Sequence, residues 1–259
     1  PSAIDGSVSG YEDGSDYYIY AAMRRGGRVL YAFDVTSPIN PILKWKKGCP
    51  NNFPTSGAVS DADCTTGFSG MGQTWSSPQI FTASGYDSGN SPLLIMGGGY
   101  DTCEDHDALT AGGANHSCSS GTTKGNKVYL MNADTGGLLK TFSTDRSVVG
   151  DVFVVREFDA GTNSWQPAQY AYVADMGGNV YRISGADANT PFASTAPGSW
   201  TITKIASLGC STISPCTANR KFMFTPDVVW DGSTYTILIG SGDREKPLTG
   251  YAAAGAVTN

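Results

Sequence analysis

The residues of this chain best equipped for chemistry are six cysteines, two histidines and a few clustered acids. The cysteines fall as close pairs, Cys49 with Cys64, Cys103 with Cys118 and Cys210 with Cys216, each in a loop rich in Gly, Ser, Thr, Asn and Asp. An even count and local pairing predict disulfides, and with them an oxidising compartment. A loop of about 15 residues closed in this way gains roughly 3 kcal/mol in the chain-entropy model. Sequence alone leaves other connectivities open. Cys103, His106, His116 and Cys118 also have the ligand types for zinc. The chain offers no CxxC knuckle, however, and the other two pairs have no histidine beside them, so the disulfide is the favoured reading.

Asp101, Glu104, Asp105 and Asp107 cluster in the stretch 100–125, an insertion expected to be stapled by Cys103 and Cys118. Glu104, Asp105 and Asp107 are candidates for contact with a partner, and Asp105 and Asp107 for a metal ion. A solvated acidic loop is the plainer expectation, because nothing in the sequence aims these carboxylates at one point. Long loops on a rigid scaffold are nevertheless where binding proteins place specificity. Asp243-Arg244-Glu245 reads as a salt-bridged turn; glycoside hydrolysis needs a second acid about 5–9 Å away across a cleft, and no matching context supplies one. With both histidines in one loop, a Ser-His-Asp relay has little to draw on. Gly97-Gly98-Gly99 ends an apolar run, with no following helix and no Lys to hold phosphate. The chemistry expected is therefore binding rather than catalysis, with no catalytic residues.

The elements that must carry these loops are legible from composition and repetition. The chain has 259 residues, with 33 Gly, 13 Tyr and 5 Trp, and only 15% are charged. Gly punctuates turns while aromatic and β-branched residues suit half-buried strands, which predicts a turn-dense all-β protein. The net charge of −6 would repel a phosphate backbone and sets nucleic acid aside as a partner. No apolar run approaches the ~18 residues needed to span a bilayer. The chain opens at Pro1 with no signal peptide in view, which suggests a mature, trimmed or excised chain.

One unit recurs with starts near residues 4, 78, 151 and 226, in steps of 74, 73 and 75. Each start leads to a strand ending in small residues, such as Tyr18-Ile19-Tyr20-Ala21-Ala22 or Ala171-Tyr172-Val173-Ala174-Asp175. In three units a turn and a further strand follow, as in Gly125-Asn126-Lys127-Val128-Tyr129-Leu130-Met131. About four strands per unit make a propeller blade. The expectation is a single β-propeller domain over 1–259 with three full blades and part of a fourth, too few to close a common ring alone. Trp45, Trp75, Tyr31, Tyr129 and Tyr181 are expected to pack between blades.

Five segments resemble one family in the order that family shows. They are Ser2-Ala3-Ile4-Asp5-Gly6-Ser7, Met71-Gly72-Gln73-Thr74-Trp75-Ser76-Ser77-Pro78, Gly97-Gly98-Gly99-Tyr100-Asp101, Tyr172-Val173-Ala174-Asp175-Met176-Gly177-Gly178-Asn179-Val180-Tyr181-Arg182 and Gly240-Ser241-Gly242-Asp243-Arg244-Glu245. Together they are similar to the C-terminal propeller of the PilY/PilC type IV pilus proteins. The resemblance implies a modified propeller, exported through the periplasm to the bacterial surface and sited at the pilus tip with minor pilins. It also implies a role in pilus assembly and retraction control, attachment to host cells or abiotic surfaces, and twitching motility. Some members carry a calcium loop, D-x-D-x-D-x-x-x-D, just before the Tyr172 strand. Here the equivalent stretch runs from Asp159 to Gln169, and only Asn163 falls on a ligand position, with Trp165 and Gln169 where carboxylates belong. Calcium needs six to eight oxygens, so an ordinary hairpin is expected and no cofactor is assigned.

Two other readings belong to different classes. Asn132-Ala133-Asp134-Thr135-Gly136 resembles a blade motif of quinoprotein dehydrogenases, but Lys140 stands in place of the expected tryptophan and no adjacent Cys-Cys pair exists. A purely structural secreted propeller without an external ligand is the other alternative.

Overall fold

The computed structural model describes residues 4–52, 60–105, 124–156, 158–192, 195–212 and 220–242. In the first sheet β1 (Val8–Asp13), β2 (Asp16–Ala22), β3 (Arg28–Asp34) and β4 (Ile42–Cys49) pair in chain order, all antiparallel. The second repeats that meander with β5 (Gln79–Phe81), β6 (Leu93–Gly97), β7 (Lys127–Asn132) and β8 (Leu138–Ser143). The third departs from it. Between its first strand, β9 (Phe153–Val155), and its second sits a two-stranded hairpin, β10 (Phe158–Asp159) and β11 (Ser164–Trp165). The sheet then continues with β12 (Tyr170–Ala174), β13 (Asn179–Ser184) and β14 (Thr201–Ser207). A final hairpin, β15 (Asp227–Trp230) with β16 (Tyr235–Leu238), opens a fourth unit.

Strand alternation decides how the sheets stack. Successive side chains of a strand point to opposite faces, and every residue of β6 is buried because both faces of its sheet are covered. Leu93 and Ile95 join Phe81, Val128 and Leu130 against Val173, Ile183, Phe192 and Trp200 of the third sheet. Leu94 and Met96 face the other way, onto Tyr20, Leu30, Ala32 and Trp45 of the first. Each fully buried Leu or Ile contributes about 1.5–3 kcal/mol, so the layers between sheets are the main source of cohesion. Polar groups also tie the layers: Tyr20 Oη and Trp45 Nε1 both donate to the Ala133 carbonyl, at 3.2 and 3.1 Å.

The first strands of the sheets lie side by side, β1 against β5, β5 against β9 and β9 against β15. A chain of hydrogen bonds links them at the repeat period: the Ser77 N–H donates to Asp151 Oδ1, and the Asp151 N–H donates to Thr225 Oγ1, each across 74 residues. Three four-stranded sheets and a partial fourth around a common axis, with the ring unclosed, form an incomplete β-propeller. Trp45, Tyr129 and Tyr181 occupy the layers between sheets. Trp75 and Tyr31 do not. Tyr31 is half-buried and stacks on Phe33, with ring centroids 6.1 Å apart, on the face of β3 opposite Leu30 and Ala32. Trp75 is half-buried and lines a cleft together with Arg24.

Candidate functional site

The loop ends of the second and third sheets meet in a buried polar centre. Past β6 the chain turns sharply at Gly99, whose φ of 98° and whose 2.1 Å approach to the Gln73 carbonyl, measured from a hypothetical Cβ, leave no room for a side chain. The Gly98 and Gly99 N–H groups donate to Lys127 and Val148 carbonyls, so this glycine run is committed to the fold rather than to phosphate. A short 3-10 turn, Thr102–Asp105, then drives Glu104 into the interior.

Glu104 is fully buried, and its carboxylate accepts from Arg146 Nε at 2.9 Å, from Arg146 Nη2 and from the Ser147 N–H at 3.0 Å. Arg146, 1% exposed, also donates from Nη1 to the Cys210 carbonyl, at 3.3 Å. Buried Lys221 donates to the Glu104 carbonyl at 2.6 Å. Beside them Asp175, at the end of β12, accepts from the Gly177 and Asn179 N–H groups, Asn179 Nδ2, the Tyr181 hydroxyl and the Arg146 N–H. Burial pushes the Asp175 carboxyl above its ordinary range while donors from Asn179 and Tyr181 pull the other way. Tyr181 is driven well above the usual phenol range, first by burial and then by the Asp175 charge. The carboxylates of both acids are held by donors from their own chain.

This placement corrects the sequence expectation for Glu104, which does not face solvent as a partner contact. A carboxylate of that kind leaves water only when a cation and further donors meet it, and the cation is Arg146. Neither Arg146 nor Lys221 stands out in the sequence as a functional residue. The available signal is a charge set in apolar surroundings, Arg146 between Phe142 and Val148, and Lys221 before Phe222-Met223-Phe224. The Asp105 backbone closes the 3-10 turn. Asp107, His106, His116, Cys118, Cys216 and Asp243-Arg244-Glu245 lie outside the described residues.

Cys49 and Cys64 are joined in a disulfide that ties the end of β4 to the turn at Asp61–Asp63. Cys103 and Cys210 are each in a disulfide as well, which removes Cys103 as a thiolate for zinc. Arg146 thus bridges Glu104, next to Cys103, and the Cys210 carbonyl.

The 158–165 segment is a tight hairpin. Asp159 Oδ1 accepts the Gly161 and Thr162 N–H groups, at 2.8 and 3.4 Å, and bonds from Thr162 and Gly161 hold its carboxyl below the usual range. Asn163 sits at φ 50°, the left-handed position of the turn. Among the described residues no group of three or more His, Cys, Asp or Glu side chains suits a metal ion. We predict no calcium binding tighter than millimolar at this hairpin; micromolar heat in a calorimetric titration, lost in Asn163→Ala, would contradict it. The Asn132–Gly136 stretch is likewise a turn, with Asn132 Oδ1 accepting from Thr135. Its Asp134 pairs with Lys44 of the first sheet, and Trp45 covers the turn, leaving it as an inter-sheet contact.

Sheets, layers and loop-end centre together define a propeller of the kind whose loops are carried on stacked meanders. No family model matches the chain, and no curated protein matches it. In structure it is similar to the crystal structure of the Pseudomonas aeruginosa PilY1 C-terminal domain, with a TM-score of 0.56 and 18% identity, over 97% of this chain and 50% of that one. The chain thus spans about half the length of the solved chain it matches. No helix among the described residues is long and apolar enough to cross a membrane.

Proposed function

We propose that this chain is part of a type IV pilus-associated surface protein that acts by binding, without catalysis. The observation that carries the reading is the likeness to the PilY1 C-terminal domain along 97% of the chain, joined to five motif segments in family order. Disulfide-bonded cysteines agree with export through the periplasm to the cell exterior. In this reading the propeller supports pilus assembly, retraction control, adhesion and twitching, with minor pilins at the tip as assembly partners and a host-cell or abiotic surface as the external one.

The recognition surface is placed on the stapled insertion beyond Glu104, including Asp105 and Asp107. A cross-linked loop loses little entropy on binding. The test replaces residues 106–117 in the full-length protein by a short Gly-Ser linker, keeping Glu104 because its loss would strand Arg146. Unchanged thermal unfolding with at least tenfold weaker attachment or pilus display is the expected result. Unimpaired pili and adhesion would refute the loop's role. Immunogold labelling of sheared pili tests the wider reading; normal expression with no label on pili would refute it.

A further inference from the structure

The axial ends of the four units enclose a cleft that the polar centre does not use. Its volume is about 180 Å³, and Arg24, Trp75, Ser77, Asp151, Phe224 and Thr225 line it. Roughly 300–1,000 Å³ is usual for a drug-sized ligand, so this cleft fits one ring-sized unit of a larger chain.

Two cleft residues are set by a single buried threonine. Thr74 Oγ1 accepts the Met23 and Arg24 N–H groups, at 2.9 and 3.2 Å, and the Thr74 N–H donates to Gly27. This clamp holds Arg24 at φ 53°, a left-handed conformation unusual for a side chain of its kind. It also lays the guanidinium over the next residue, Trp75, 4.4 Å from the ring centroid. Trp75 is itself fixed by donating from Nε1 to Gln73 Oε1, at 3.2 Å, and by the Tyr100 ring. A guanidinium stacked by its face keeps its in-plane N–H groups for a planar anion. Among the described residues no hydrogen bond to them is seen, and the Asp151 carboxylate of the same cleft meets the Arg24 charge only through space. Arg25 lies over the same indole at 5.5 Å.

Across from Arg24, the residues Ser77, Asp151 and Thr225 line the cleft with oxygens of the sort sugar hydroxyls need, although Asp151 Oδ1 already accepts the Ser77 N–H and Thr225 Oγ1 the Asp151 N–H. Phe224, 51% exposed, also lines the cleft. We propose that this cleft binds a carboxylate-bearing sugar, a hexuronate unit of an acidic polysaccharide, with Arg24 on the carboxylate and Asp151 on the hydroxyls. Trp75 is the positioning residue that holds Arg24 flat. The hydroxyl-bearing lining favours a sugar over an acidic peptide side chain, which has no hydroxyls for Asp151 to take.

The cleft residues named here lie outside the 106–117 segment, so either assignment can fail without the other. Binding of the purified protein to immobilised polygalacturonate, dextran and polyglutamate tests it. Retention on polygalacturonate alone, competed by free galacturonate, is expected, with at least tenfold weaker binding in Arg24→Gln and severalfold weaker in Asp151→Asn. Melting curves of both variants should match the parent, and the net negative charge disfavours unspecific capture by a polyanion. No retention, equal retention of Arg24→Gln, or preference for polyglutamate would overturn the assignment.

Discussion

Replacing Glu104 by Ala should lower the free energy of unfolding by about 3–5 kcal/mol, because it strands a cation already withdrawn from water. Arg146 is 1% exposed and places two of its donors on the Glu104 carboxylate, so no solvent can take over that role. The Ser147 N–H, bonded to the same carboxylate, loses its partner too. The loss should show as a lower urea midpoint with little change in slope. A double variant, Glu104→Leu with Arg146→Met, should recover much of it, since removing both charges removes the unpaired ion. A single variant within about 1 kcal/mol of the parent would mean that the pair opens to water in solution.

Trp200→Ala should cost a similar amount, about 3–5 kcal/mol, through a different mechanism. Trp200 is fully buried, stacks on Phe192 with ring centroids 4.0 Å apart and lies 6.4 Å from Phe81 of the second sheet. Its Nε1 donates to the Thr195 carbonyl at 2.9 Å, so truncation opens a cavity and orphans an acceptor. The effect should appear in chemical unfolding as a clear fall in midpoint, whereas Ile39→Ala, at 87% exposure, should stay within about 0.5 kcal/mol. Comparable values for the two variants would show that the layer between the second and third sheets is not the main source of cohesion.

Trp200 also marks where reading along the chain reached and where it stopped. Its environment is made by Phe81, far away in sequence, and by the connection between β13 and β14, which carries no blade motif. The meanders of the first two sheets, by contrast, are visible as alternating apolar runs divided by Gly and Asx turns. That information is local: a strand's period of two and a turn residue's backbone preference act within a few residues. Aromatic residues inside the repeat are less determined. Trp45 and Trp75 carry the same chemistry, yet one is buried between sheets and the other sits half-buried under Arg24, because the surface each side chain meets is set by tertiary packing.

By itself, then, the sequence determined the all-β class, the recurring four-strand unit and the hairpin ahead of the Tyr172 strand. Only the tertiary structure decided that Glu104 faces inward to Arg146, 42 residues on, and that Lys221 reaches its carbonyl across 117 residues. It alone brought Arg24, Trp75 and Asp151 from three units to one cleft. The physical reason is desolvation. Whether a charge stays solvated or must find a buried partner depends on which distant surfaces close over it, and no local pattern in the chain encodes that closure.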